Sequence, residues 1–199
     1  MNYSELKTAV ADWLDHHDSD SQVELFIELA RAKVNRKLST MEMTCVATAV
    51  GIQNQNDYEL PVDWNGAREV SVDGTVVELR GASAFTTSLN RNINVATPMW
   101  YTVRAGKIRF SCAPGADATI ELAYYRKVPK LVEDTDTNWL LNEHPDCWLY
   151  AAVAEGYIYI MDEERASIFE NRSYGVLTDI ESSDANRRWS GTPGRIIAS

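Results

Sequence analysis

The residues of this chain whose types could do chemistry stand at spacings that argue against most of it. The segment Asp15-His16-His17-Asp18 is where metal-ligating types stand together. Adjacent residues on a helix point in different directions, so these cannot converge on an ion without a loop, and they read as a solvated helix end. His144, between Glu143 and Pro145, reads as a capping or packing residue. Glu133, Asp134 and Asp136 form an acidic run that acid–base chemistry would use, which makes a hydrolase one reading; an exposed loop of acids is more often simply solvated. Asp162-Glu163-Glu164 suits the positive end of a helix. Cys45, Cys112 and Cys147 are far apart and contain no CxxC pair, so neither a zinc knuckle nor a thioredoxin-like site follows; they read as free thiols in a reducing cytoplasm. The phosphate-cradling GxxxxGK[ST] and GxGxxG patterns and the GxSxG nucleophile turn are absent. No catalytic, cofactor-binding or metal residue is assigned, no cofactor is expected, and the chain reads as a non-enzyme.

The 199 residues carry a formal charge of −10, with a pI near 4.8. A dedicated nucleic-acid binder needs clustered Lys and Arg to displace counterions, so that class is disfavoured, as is an anionic membrane surface. An acidic wall that repels passing DNA is compatible. No stretch approaches the roughly 20 apolar residues of a membrane span, and MNYSELKTAVADWL lacks the basic start and apolar run of a signal peptide. Six Trp and nine Tyr supply area for a core and for interfaces. From Ala185 to Ser199 there is no acid, while Arg187, Arg188 and Arg195 are present. That basic end on an acidic body suggests a docking tail.

The elements that would position such a tail are legible as periodicities. Residues 3–15 predict a helix with Tyr3, Leu6, Val10, Trp13 and Leu14 on one face. Ser19 and Gln22 read as a capping box opening a second helix to about Leu38, with a face of Val23, Phe26, Ile27, Ala30, Val34 and Leu38. A short polar loop predicts antiparallel packing of the two. From about Cys45 the period becomes that of strands: TCVATAVGI, DYELP, then AREVSVDGTVVEL with an Asp73-Gly74 hairpin turn. Residues 81–90 read as a short helix or loop. A second hairpin turns at Ala105-Gly106, and ATIELAYYRKVP alternates Ile120, Leu122 and Tyr124 with Glu121, Ala123 and Tyr125 before Pro129 ends it. An acidic loop through LVEDTDTNWLLNEH leads to a helix from Pro145 to Met161, capped near Asn142 or His144, with Trp148, Leu149, Ala152, Val153, Tyr157 and Ile160 inward. Gly156, costly in mid-helix, implies a close helix crossing. A last helix runs from Asp162 to about Arg188 with a stripe of Phe169, Ser173, Val176, Leu177 and Ile180; Gly191, Pro193 and Gly194 then forbid helix. The expected fold is α+β: a helical bundle from N- and C-terminal helix pairs (1–40 and 131–188), a small antiparallel β-module inserted between them (41–130), and an extended tail (189–199).

Three stretches, in order, carry a resemblance. They are YELPVDWNGAREVSVDG; AGKIRFSCAPGADATIELAYYRKVPKL; and TNWLLNEHPDCWLYAAVAEGYIYIMDEERA. Their sequence and spacing, over about residues 20–175, resemble the tailed-bacteriophage head-to-tail adaptor (connector) proteins. That resemblance implies a structural virion protein at the head–tail junction, assembled in the host cytoplasm. It implies a ring of copies of itself, typically a dodecamer, bound below the portal protein and above a tail nozzle or tail tube protein. DNA would pass through the lumen without specific binding, and no membrane is involved. It also implies a C-terminal segment that grips the portal, which here makes Trp189, Arg195, Ile196 and Ile197 the docking candidates. Another neck or tail-completion protein, such as a tail terminator or head-closure protein, is the alternative within the same class. A hydrolase around Asp134 and a bacterial binding module unrelated to phage are alternatives outside it.

Overall fold

A computed structural model describes residues 1–14, 20–81, 98 and 100–189. The chain divides into two units, one formed by both ends of the chain (residues 1–42 and 128–199) and one by its middle (residues 43–127).

The first unit is helical: α1 (Tyr3–Leu14), α2 (Asp20–Lys37), a one-turn α3 (Trp139–Glu143), α4 (Pro145–Tyr159) and α5 (Glu163–Trp189). Helix α1 starts with a reciprocal cap. The Glu5 N–H donates to Asn2 Oδ1 at 2.8 Å, and the Asn2 N–H donates to Glu5 Oε2 at 3.0 Å. The capping box read at Ser19 and Gln22 includes Ser19, outside the described residues. Lys7 on α1 meets Glu24 on α2 at 3.5 Å, and Tyr3 borders a cleft with Ile27 and Glu28, so the two helices run antiparallel. All six residues of the α2 stripe are buried. Helix α4 lies at the centre and is enclosed nearly all round, with Cys147, Trp148, Ala151, Ala152, Val153, Ala154, Gly156 and Tyr157 buried. A helix apolar on every side has to be surrounded, and α1, α2, α3 and α5 all pack on it. Gly156 is the expected close crossing: a Cβ there would stand 2.4 Å from Leu14 Cδ1.

The second unit corrects the expectation of a small antiparallel module. It is a curled seven-stranded mixed sheet in the order β1-β7-β3-β4-β5-β6-β2. The strands are β1 (Thr44–Val50), β2 (Asp57–Glu59), β3 (Trp64–Val72), β4 (Thr75–Leu79), β5 (Trp100–Arg104), β6 (Lys107–Phe110) and β7 (Thr119–Arg126). Strands β4 and β5 pair in parallel, Glu78 opposite Trp100 and Leu79 opposite Tyr101. Parallel neighbours need a long crossover, and residues 80–99 supply it. Each hairpin has a local signature, and the parallel pairing that joins them has none. The segment 81–90, read as a short helix or loop, lies outside the described residues except for Gly81. Both hairpin turns form as their residues dictate. Asp73 and Gly74 have φ of 50° and 74°, Ala105 and Gly106 have 50° and 75°, and paired positive φ values match the twist of the flanking strands. One face of the sheet holds a core of Val70, Val72, Tyr101, Phe110, Ile120 and Leu122 with their neighbours. The fold remains α+β overall.

Candidate docking surfaces

The acidic loop that a hydrolase would need is structural. The N–H groups of Glu133 and Val132 both donate to Asp136 Oδ2, at 2.9 and 2.8 Å, and hold its carboxyl below the usual carboxylate range. A general acid needs the opposite shift. Asp134 pairs with Lys7 at 2.8 Å. Backbone oxygens of the same loop accept from the start of α1: Asp136 from the Tyr3 N–H and Asp134 from the Ser4 N–H. The Asp136 carboxylate thus shapes the loop, and the loop's backbone carbonyls together with the Asp134 carboxylate pin the first helix. His144 is the residue before α4 and its side chain makes no capping bond; Asn142 caps nothing in α4. The capping role belongs to Asn138, whose Oδ1 accepts from the Leu141 N–H at 2.9 Å to start α3, a single turn within the expected acidic loop. The three cysteines are free. Burial pushes the Cys147 thiol up to about 12, with Asp146 adding to it, which keeps it from acting as a thiolate. No cluster of metal-ligating residues occurs among the described residues, and the Asp15–Asp18 segment lies outside them. No helix of the described residues is long and apolar enough to cross a membrane.

The motif residues have physical jobs. In the Leu60-Pro61-Val62-Asp63-Trp64 segment, Asp63 Oδ1 accepts from the Tyr124 hydroxyl at 2.9 Å, and Trp64 stacks on the Tyr124 ring with centroids 5.8 Å apart. Burial, then the Asp63 bond, push the Tyr124 hydroxyl up to about 12. The motif thus fastens β3 to β7 within the sheet unit. In the Asn-Trp-Leu-Leu motif, Asn138 caps and Leu140 and Leu141 are fully buried.

The docking candidates at the chain end fall differently. Trp189 is the last helical residue of α5; its side chain, together with Arg195, Ile196 and Ile197, lies outside the described residues. The two arginines before it are engaged within the helical unit. Arg187 pairs with Glu42 at 3.0 Å. Arg188 pairs with Asp184 and donates to the Ser39 carbonyl at 2.8 Å. Asp184, buried, also accepts from the Met41 N–H at 2.9 Å. Two of the cations that made the chain end look basic are thus neutralised in place, and they staple the end of α5 to residues 39–42. Sequence reasoning missed Asp184; its spacing four residues before Arg188 and four after Ile180 was the available signal.

The helical unit also exposes apolar side chains that its core does not use. Leu25 and Leu29 stand on the outer side of α2, while Ile158, Tyr159 and Met161 crowd the α4–α5 junction, with Met161 88% exposed. Helix α4 ends at Tyr159, short of the Met161 boundary that spacing suggested, and Leu149 and Ile160, expected inward, are only half-buried. The aromatics Trp13, Tyr150, Phe169 and Tyr157 form one cluster, in which Tyr157 stacks on Phe169 at 5.5 Å. Arg172 sits over the Phe169 ring at 5.3 Å.

No curated protein matches this chain. The model of the family described as SU10 adaptor protein matches residues 1–196. A match that takes in both chain ends and the sheet between them identifies the chain as a member of the SU10 adaptor protein family, a family of phage head-to-tail adaptors.

Proposed function

We propose that this chain is a non-enzymatic ring subunit at the head–tail junction of a bacteriophage. It binds below the portal protein and above a tail nozzle or tail tube protein, and DNA passes through the lumen of the ring. The family match over residues 1–196 carries this reading. The charge of −10 supports it, because a lumen of like charge lets DNA slide without gripping it. The occupation of Asp134 with Lys7 of α1, and of Asp136 with the backbone of its own loop, supports the non-enzymatic part. Assembly takes place in the host cytoplasm, on a completed portal, and the ring is a dodecamer. Residues 189–199, with Trp189, Arg195, Ile196 and Ile197, form the portal-docking segment, which is apolar and cationic in composition.

The test is to mix purified portal with the full chain and with a chain truncated after Arg188, and to measure mass and shape by native mass spectrometry and negative-stain imaging. The full chain is expected to add a ring to one end of the portal, and the truncated chain to lose capture. Undiminished capture by the truncated chain removes the docking segment, and no capture by either removes the adaptor ring.

A further inference from the structure

Within the helical unit, α2, α4 and α5 leave a cleft of about 70 Å³, floored by Ala151, Ala154 and Leu177 and rimmed by Arg36, Lys37 and Tyr174. At the ~10–15 Å³ that each water-sized group requires, it has room for roughly five to seven. Lys33 also borders it, and Glu155 and Glu170 hold its ammonium at 2.6 and 2.8 Å. Arg36 and Lys37 form no ion pair among the described residues, and Lys37 lies over the Tyr174 ring at 5.6 Å. On a chain of charge −10, an apolar floor under two uncompensated cations asks for an apolar group with carboxylates beside it.

The same unit displays such a group elsewhere. Helix α4 closes with the Asp162 N–H on the Tyr157 carbonyl at 2.9 Å and the Met161 N–H on the Ile158 carbonyl at 3.1 Å, a turn whose left-handed position normally holds glycine. Here Met161 holds it at φ 61° and points its side chain into solvent, 88% exposed. A methionine there costs about 1 kcal/mol of backbone strain and returns no packing to its own subunit. Glu163 and Glu164 follow, exposed and without an ion pair among the described residues, whereas Asp162 is already engaged with Arg165. The knob cannot fill the cleft of its own subunit. Tyr174 lies about 15 Å further along α5 than Glu164, at 1.5 Å per residue.

We propose that a second copy of this chain seats its Met161, flanked by Glu163 and Glu164, in the cleft beneath Arg36 and Lys37. Two complementary patches at different places on one subunit make a head-to-tail contact, the kind that propagates and closes as a ring. The interface rests on the ring reading above and names the surfaces that build it. The chain-end segment 189–199 is a poorer occupant, since it brings Arg195 and no acid to a basic rim.

The test uses the full chain alone at rising concentration and on purified portal, with oligomer mass read by native mass spectrometry. Met161→Gly is expected to weaken subunit association about tenfold or more while leaving thermal stability equal or higher, since glycine relieves the turn. The charge reversals E163K/E164K and R36E/K37E, and the milder R36Q/K37Q, are each expected to weaken it, and the two reversals in one chain to restore it. Loss in each single arm with restoration in the combined chain supports the interface. Assembly unchanged in all variants overturns it and leaves the ring standing. Loss without restoration overturns the pairing of knob and cleft. Loss of portal capture by R36E/K37E with self-association intact assigns the cleft to the portal and overturns it too. A wild-type chain that forms no oligomer alone or on portal removes the ring itself, and this interface with it.

Discussion

The helical unit encloses α4 along most of its length, so that Trp148 is fully buried, whereas the sheet unit packs one face and leaves Val46, Val50, Val76 and Leu79 more than half exposed. Side chains of similar chemistry therefore carry different weight in the two regions. Inside the helical unit an apolar group is part of a filled volume, and its removal leaves a void. On the outward strands an apolar group contributes little to the fold, and its identity is free to serve something else.

That contrast can be broken from its strong end. Trp148→Ala is expected to destabilise the helical unit by about 3–5 kcal/mol in denaturant unfolding followed by helical circular dichroism; a loss below about 1 kcal/mol would mean that α4 is not the packed centre. Gly156→Ala comes next. Its methyl would meet Leu14 at 2.4 Å, and because Leu14 is itself buried, the overpacking of about 1–3 kcal/mol outweighs the ~1 kcal/mol gained in helix propensity. Leu14→Ala in the same chain should cost less than the sum of the two single changes. Asn138→Ala, which deletes the cap of α3, is expected to cost about 1 kcal/mol by the same measurement. A pH series sharpens the picture without mutating the core. Asp136 has a lowered pKa, so its contribution is present above the ordinary carboxylate range and is lost as pH falls through the depressed folded value. The melting temperature of wild type should fall more steeply below about pH 4 than that of Asp136→Asn. At the weak end, Val46→Thr and Val76→Thr on the sheet should each change stability by no more than about 0.5 kcal/mol, and a larger loss would show the outward face to be a second core.

How far the sequence led depended on whether a feature is local. The α2 stripe repeats at helical spacing and every member is buried. The Asp73-Gly74 and Ala105-Gly106 turns need positive φ and have it. The parallel pairing of β4 with β5 has no local signature, because it is made by a crossover through residues 80–99. Helix α3 is a single turn hidden behind acids, betrayed only by Asn138 three residues before Leu141. The run Tyr157-Ile158-Tyr159-Ile160-Met161 is apolar throughout, and spacing alone could not show that a left-handed turn throws its end outward. Of the docking surfaces, the charge of the chain end was visible; its cancellation by Glu42 and Asp184 was not, since those partners are brought in by the fold.

The helical unit is assembled from the first forty-two residues and from everything after Lys127. On the ribosome, α1 and α2 emerge before the α4 against which Leu6, Val10, Phe26 and Val34 complete their packing. At ~5–20 residues per second, the intervening hundred or so residues take roughly 5–20 s to synthesise. During that interval a sticky amphipathic pair is available to chaperones, or to its counterparts on neighbouring nascent chains.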